Sequence, residues 1–187
     1  EQWEQIYGEE RTPWNANQPE PYLVELVEQG VLKPCSVIDL GCGTGNEAVY
    51  LATQGFTVTG IDISDTAIRR ARQHARKANA DCTFITTDVL DMPTDQKYDL
   101  GFDRACFHFL DPGERPTYIQ NLSTILNPGA LYILIVSSDQ ETPKNTYQFS
   151  KDEITNLFSS NFDILNIELR VLKTHKEKPK PYVCLMK

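Results

Sequence analysis

Apolar and polar positions along the chain switch between two periods. Short apolar or β-branched runs at 35–40, 57–61, 82–86, 98–102 and 131–136 have the length of buried parallel strands. Between them, residues 47–54, 65–79 and 114–126 repeat their apolar positions at helical spacing. This order of strand and helix predicts an α/β fold, a parallel sheet covered by helices, with ligands at the carboxyl ends of the strands. Asn127-Pro128-Gly129 breaks the chain before the strongest strand, "LYILIV".

The two ends follow other patterns. Ser150-Lys151-Asp152-Glu153 has the form of a capping box and opens a helix to about Phe158. Residues 162–172 and 182–186 then form two strands, a hairpin-like pair closing a sheet edge. The polar segment joining them is an ordinary connection, or a lid that brings His175 and Lys176 near an anionic acceptor. At the front, Trp3, Ile6 and Tyr7 share one helical face, and 21–29 forms a second helix with Pro21 at its first position. Thr12-Pro13-Trp14-Asn15 is a proline-stiffened turn between them. No internal repeat or linker interrupts the chain. The expectation is one domain over 1–187, with a cap segment at 1–30 and a cofactor-binding core at 35–187.

Composition narrows the partners. A chain of 187 residues with 40% hydrophobic content can bury a single core. Its net charge of −8 argues against nucleic acid or an anionic membrane. The basic run from Arg69 to Lys77 falls at helical spacing with Ala and marks a solvated helix face. The five cysteines form no C-x-x-C pair, which suits reduced thiols, and the three histidines lack metal-ligand spacing. No apolar stretch reaches the roughly 20 residues needed to span a bilayer, and the Glu-rich start lacks a signal-peptide core. These features predict a soluble, cytoplasmic protein, monomeric or homodimeric, that binds a small molecule and no metal.

The candidate chemistry begins at "SVIDLGCGTGNEAVYLA". Gly41, Gly43 and Gly45 follow a strand and precede a helix, where backbone turns tightly and approaches a ligand. The spacing is G-x-G-x-G, since Asn46 stands where a dinucleotide fingerprint has its third glycine, and no Lys-Ser/Thr follows as in a phosphate-binding P-loop. Asp62 ends the second strand, where a carboxylate accepts both hydroxyls of a ribose. Asp88, after the third, can take an adenine amine, with the Val89 amide beside it for a ring nitrogen. Asp39 completes a carboxylate set suited to a ligand carrying an ammonium and a sulfonium. The competing reading makes Asp62 and Asp88 helix caps or turn acids.

With these residues placed, the chain resembles the class I S-adenosylmethionine-dependent methyltransferases. "VIDLGCGTG", "GIDIS", "TTDVLDMP", "YDLGFDRACFHFL" and "LNPGALYILIV" stand where that family has its successive motifs. "WEQIYGEERTPWNANQPEP" is similar to the N-terminal cap of the thiopurine, thiol and halide methyltransferase branch, and "FDRACFHFL" to tellurite-resistance-type methyltransferases. The resemblance implies a Rossmann-like seven-stranded sheet of order 3-2-1-4-5-7-6, strand 7 antiparallel, with helices on both faces and an N-terminal helical cap. It also implies S-adenosyl-L-methionine as donor, S-adenosyl-L-homocysteine as product, and Cys42 and Ile63 beside the donor.

The acceptor stays open, because this fold serves many substrates. A thiol or another soft nucleophile needs little or no base, whereas an oxygen or nitrogen acceptor in a small metabolite benefits from one. His108, after the fourth strand, is the candidate catalytic base, and a packed histidine between Phe107 and Phe109 is the alternative. Asp103 and Arg104 hold the methionine end of the donor, the acceptor, or each other. Trp14 closes over the sulfonium or packs in the core. Tyr118 and Trp3 are assigned to packing. Two other classes remain: a nicotinamide-dependent oxidoreductase, which the glycine spacing and Asp88 disfavour, and a non-catalytic cofactor-binding module.

Overall fold

A computed structural model describes residues 2–9, 12, 18–141, 146–171 and 180–187. Seven strands form one sheet in the order β3-β2-β1-β4-β5-β7-β6, numbered along the chain, as the resemblance implied. The chain divides into two compact units, Glu1–Asp91 and Met92–Lys187.

In the first unit, β1 (Ser36–Leu40), β2 (Thr57–Asp62) and β3 (Cys82–Thr86) run parallel, with Ile38 opposite Thr59 and Gly60 opposite Phe84. Helices α1 (Gln2–Gly8), α2 (Pro21–Glu28), α3 (Asn46–Thr53) and α4 (Asp65–Ala78) accompany them. The sequence of α4 specifies both its ends and its buried face. Ser64 caps the start by accepting the Ala67 amide at 3.1 Å, Asp65 lies in the first turn, and Arg76 and Lys77 lie in the last. Ala67, Ile68, Ala71 and Ala75 are buried, while Arg69, Arg72, Arg76 and Lys77 face solvent. The basic run is therefore the solvated face of a helix whose inner face is mostly alanine.

Small residues set how closely these layers approach. A Cβ placed on Gly60 would lie 2.9 Å from both Cys42 Sγ and the Phe84 ring. Strand β2 consequently passes beneath the glycine loop with no room for a methyl group.

In the second unit, β4 (Tyr98–Arg104) and β5 (Leu126–Val136) are parallel, and β7 (Tyr182–Met186) is antiparallel to both β5 and β6 (Ile164–Leu169). The Asn-Pro-Gly break lies inside β5, which begins earlier than its apolar run. The register moves from Tyr98 opposite Leu126 to Leu100 opposite Leu131, so the intervening residues are looped out of the ladder. Pro128 has no amide to donate and Gly129 has φ 83°, which makes this a natural bulge. Helix α5 (Arg115–Ile125) follows Glu114, whose carboxylate accepts the Asp111 amide at 2.8 Å. The capping box of α6 (Lys151–Phe158) forms as expected, with Ser150 Oγ accepting from the Glu153 amide and Glu153 Oε2 accepting from the Ser150 amide. The core of this unit is aromatic. The Phe107 ring packs at tilted angles against Phe158, Tyr118 and Phe149, with centroids 5.1–5.6 Å apart.

Gly60→Ala should lower the unfolding free energy by about 1–3 kcal/mol, the usual cost of one methyl group forced into a filled site. Urea denaturation measures it, and an unchanged midpoint would show that Cys42 and Phe84 move aside freely.

Candidate active site

The loop between β1 and α3 adopts a conformation that few side chains tolerate. Gly41, Gly43 and Gly45 have φ of 67°, 53° and 77°. The Gly45 amide donates to Cys42 O at 2.9 Å, closing the turn, and the Cys42 amide donates to Ile61 O at 2.9 Å. Asp62, the last residue of β2, then gathers the surrounding backbone. Its Oδ2 accepts the Gly43 amide and its Oδ1 the Ser64 amide, each at 2.9 Å. A carboxylate offers about four acceptor positions, so two amides leave capacity for hydroxyl donors. Burial raises the Asp62 pKa, the two amides lower it, and the charge of Glu4 raises it.

Helix α1 lies on this loop. A Cβ on Gly43 would sit 2.7 Å from the Tyr7 hydroxyl, and Tyr7 is buried. Glu4 pins the helix to the start of α4 by accepting from Ser64 Oγ at 2.6 Å, from the Thr66 amide at 3.1 Å and from Thr66 Oγ1. These donors, the Ser64 hydroxyl first, hold the Glu4 carboxyl down at about 2. Sequence reasoning missed Glu4, Ser64, Thr66 and Tyr7 as site residues. The Ser-x-Thr at a helix start was a visible sign of a cap, but nothing local tied it to a glutamate at the far end of the unit.

The loop's own thiol is buried among carboxylates. Burial pushes the Cys42 pKa well up, and the charges of Asp39, Asp62 and Glu47 push it further. Three carboxylates thus make the potential at the loop negative, which repels phosphate and attracts a cation. Glu47 is informative here, because it is buried in the first turn of α3. A phosphate cradle would use that helix terminus for its ligand's charge.

The remaining donor candidates divide. Asp88 Oδ1 accepts the Leu90 amide at 2.9 Å and starts the short turn Val89–Asp91, the turn-acid geometry, and Val89 is buried. Ile63, apolar yet 50% exposed, directly follows Asp62. Trp14, His175 and Lys176 lie outside the described residues.

In the second unit, the chain after β4 reverses through Ala105, a non-glycine residue at φ 67°. Asp103 holds this reversal. Its Oδ1 accepts the Cys106 amide at 2.9 Å, the Phe107 amide reaches Oδ2 at 3.1 Å, and the Tyr118 hydroxyl donates to Oδ2 at 2.6 Å. Tyr118 and Tyr132 hydroxyls are 3.0 Å apart. Burial raises the Asp103 pKa to about 6, against the lowering effect of Tyr118 and the two amides. Tyr118 therefore does more than pack, and its hydroxyl is a partner that an aromatic in an amphipathic helix does not announce. Arg104, half-buried, ends the strand. His108 lies in the turn Phe107–Phe109, is 7% exposed, and accepts the Ser137 amide on Nδ1 at 3.1 Å. Among the described residues, no group of three or more His, Cys, Asp or Glu side chains could hold a metal ion.

The donor set fits S-adenosylmethionine: acidic side chains for its cationic end and a strand-end carboxylate with spare acceptor capacity for a ribose.

The buried carboxylate after β4 makes stability depend on pH in a defined direction. Asp103 keeps its proton to about pH 6 in the folded chain against an ordinary value of 3.8. Its contribution to stability therefore falls as pH rises through that window. Tyr118→Phe removes a donor to the ionised form and should cost about 1–3 kcal/mol. The loss should be larger above about pH 7 than below about pH 4. Denaturation at both pH values checks this, and a pH-independent loss would mean that Tyr118 does not sense the Asp103 charge.

Comparison with known proteins supplies the family. A model described as thiopurine S-methyltransferase matches residues 1–184. The probable thiol methyltransferase 2 of Arabidopsis thaliana is 33% identical over 154 residues, 81% of this chain and 68% of that protein. The 2-heptyl-1-hydroxyquinolin-4(1H)-one methyltransferase of Mycobacteroides abscessus is 33% identical over 164 residues, 84% of this chain and 71% of that protein. The crystal structure of TehB from Haemophilus influenzae shares the fold, with a TM-score of 0.73 at 22% identity over 88% of this chain and 60% of that one. The chain belongs to the thiopurine S-methyltransferase family and is an S-adenosylmethionine-dependent methyltransferase.

Proposed function

We propose that the methyl group goes to a small, soft nucleophile: a thiol, or its selenium, tellurium or halide counterpart. The observation that carries this reading is the state of Asp103. It is the acid at the carboxyl end of β4, and its two oxygens are engaged by Cys106, Phe107 and Tyr118 inside the protein. Asp103 is sealed from water with both oxygens engaged, so it does not present a free oxygen to an acceptor's proton even though burial raises its pKa, which favours an acceptor that needs no base. The thiol methyltransferase relative supports the same class.

The donor is held by the first unit. The loop backbone of Gly41, Cys42, Gly43 and Gly45 lies against its amino-acid end, and Asp39 and Glu47 supply the negative potential for its ammonium. Asp62 accepts from the ribose hydroxyls. Ile63 covers the adenine, whose edge meets Asp88 and the Val89 amide. When bound, S-adenosylmethionine supplies a methyl carbon already activated by its sulfonium. The protein's work is then to orient the two partners and exclude water. Asp103 acts as a positioning residue for the turn that bears Arg104 and His108, and Trp14 belongs to the cap over the donor.

A second reading, methylation of oxygen or nitrogen in a small metabolite, draws on the hydroxyquinolone methyltransferase relative. Such an acceptor would need a base, and His108 would have to be that base. The setting proposed is cytoplasmic, as a monomer or homodimer folding as one domain with 1–30 as its cap. The five free cysteines support a reducing compartment. Among the described residues, no helix is long and apolar enough to cross a membrane.

Methyl transfer from labelled donor to a panel of thiol, selenide, iodide, phenol and amine acceptors tests the reading. The expected result is a kcat/KM for the soft members at least about tenfold above that for phenol and amine. Transfer to oxygen or nitrogen alone would contradict it.

A further inference from the structure

Helix α1 reaches both of the peptides that hold Asp62. The Ser64 amide binds Asp62 Oδ1 and the Gly43 amide binds Oδ2. On the first side, Glu4 Oε2 accepts the Ser64 hydroxyl at 2.6 Å and the Thr66 amide at 3.1 Å, while Glu4 Oε1 accepts Thr66 Oγ1. On the second, the Tyr7 hydroxyl fills the space where a Gly43 side chain would stand. Glu4 and Tyr7 lie at i and i+3, so one face of α1 presents both. The helix has seven residues, too few to be stable alone, and Glu4 stands 60 residues from Ser64. Its place on this unit therefore depends on these contacts.

The contact with Ser64 passes on to Asp62. A serine hydroxyl has one proton, which here goes to Glu4 and leaves the oxygen to accept the Ala67 amide at 3.1 Å. The Ser64 side chain is held from two directions, and its own amide is held with it, aimed at Asp62 Oδ1. With an amide on each oxygen, the Asp62 carboxylate cannot turn, and its remaining acceptor positions have fixed directions. Two hydroxyls on one sugar gain most from an acceptor whose positions are set in advance.

The geometry points to Glu4 as a positioning residue for the methyl donor: by holding Ser64 it orients Asp62 towards the ribose hydroxyls, which makes helix α1 part of the donor site. This role rests on the assignment of Asp62 to the ribose made above. Glu4 acts through Ser64 and Asp62, not by contact with the donor. Its carboxyl, held down at about 2 by the Ser64 hydroxyl and the Thr66 donors, is ionised across the neutral range. The competing role for the same contacts is to dock α1 and nothing more. The two roles differ in which groups of the ligand feel the loss of Glu4.

Calorimetric titration of S-adenosylhomocysteine and its 2′,3′-dideoxy analogue into the wild type, Glu4→Ala and Glu4→Gln separates them. Glu4→Ala should weaken S-adenosylhomocysteine by about tenfold and the analogue by less than about threefold, because a sugar without hydroxyls makes no use of Asp62. Glu4→Gln keeps an acceptor oxygen for Ser64 and the Thr66 amide, and should recover much of the loss. The NMR signal of the Ser64 amide proton should move in Glu4→Ala and stay near its wild-type position in Glu4→Gln.

Equal weakening of both ligands by Glu4→Ala would reduce Glu4 to a dock for α1 and overturn the assignment. So would unchanged binding of S-adenosylhomocysteine in Glu4→Ala, or a Glu4→Gln protein as weak as Glu4→Ala. The wild-type titrations alone report on the underlying reading. If the wild type binds the dideoxy analogue as tightly as S-adenosylhomocysteine, Asp62 does not hold the ribose, and the role of Glu4 fails with that reading.

Discussion

One carboxylate organises the donor unit. Asp62 ends β2 and binds two amides that belong to different elements, Gly43 in the loop after β1 and Ser64 at the start of α4. Each bond fixes a main-chain direction that the surrounding sequence alone would leave free. Gly43 must then be a glycine, because its amide faces Asp62 while the Tyr7 hydroxyl occupies the space of its missing side chain. Ser64 must be a small hydroxyl residue, because it caps α4 and also donates to Glu4. Asp62 thereby ties the loop after β1 to the start of α4, and Glu4 adds α1 through Ser64 and Thr66.

A second strand-end aspartate follows the same principle to a different end. Asp103 also collects backbone amides, but the Tyr118 hydroxyl joins them and the whole group is sealed from water. Asp62 keeps acceptor capacity that a ligand can use, whereas Asp103 spends its capacity on holding a turn. On the proposed reading, two aspartates near the ends of their strands thus divide between recognition and positioning. The difference lies in whether a neighbouring side chain completes the hydrogen bonding.

The legibility of the sequence follows the range of the forces. The strands, the α4 stripe and the α6 capping box rest on contacts a few residues apart, and all could be read directly. The Asn-Pro-Gly break was legible as a break, but its place within β5 depended on pairing with β4, which local pattern cannot supply. The acids at 39, 62 and 88 stand out in the sequence because they lie at or just after the ends of strands. Glu4, Tyr7 and Ser137 were not found, since each acts on a partner distant in sequence and none has an unusual local context. Glu47 escaped notice because an acid in a first helical turn has a common explanation in the helix dipole. Its weight appears only through the buried Cys42 thiol, which feels it together with Asp39 and Asp62.

The central claim is that a negative potential at the glycine loop selects a cationic, ribose-bearing donor. Calorimetric titration of the protein with S-adenosylmethionine and, separately, with NADH tests it most directly. The account predicts saturable binding of S-adenosylmethionine and no measurable binding of NADH. Binding of NADH without binding of S-adenosylmethionine would contradict it.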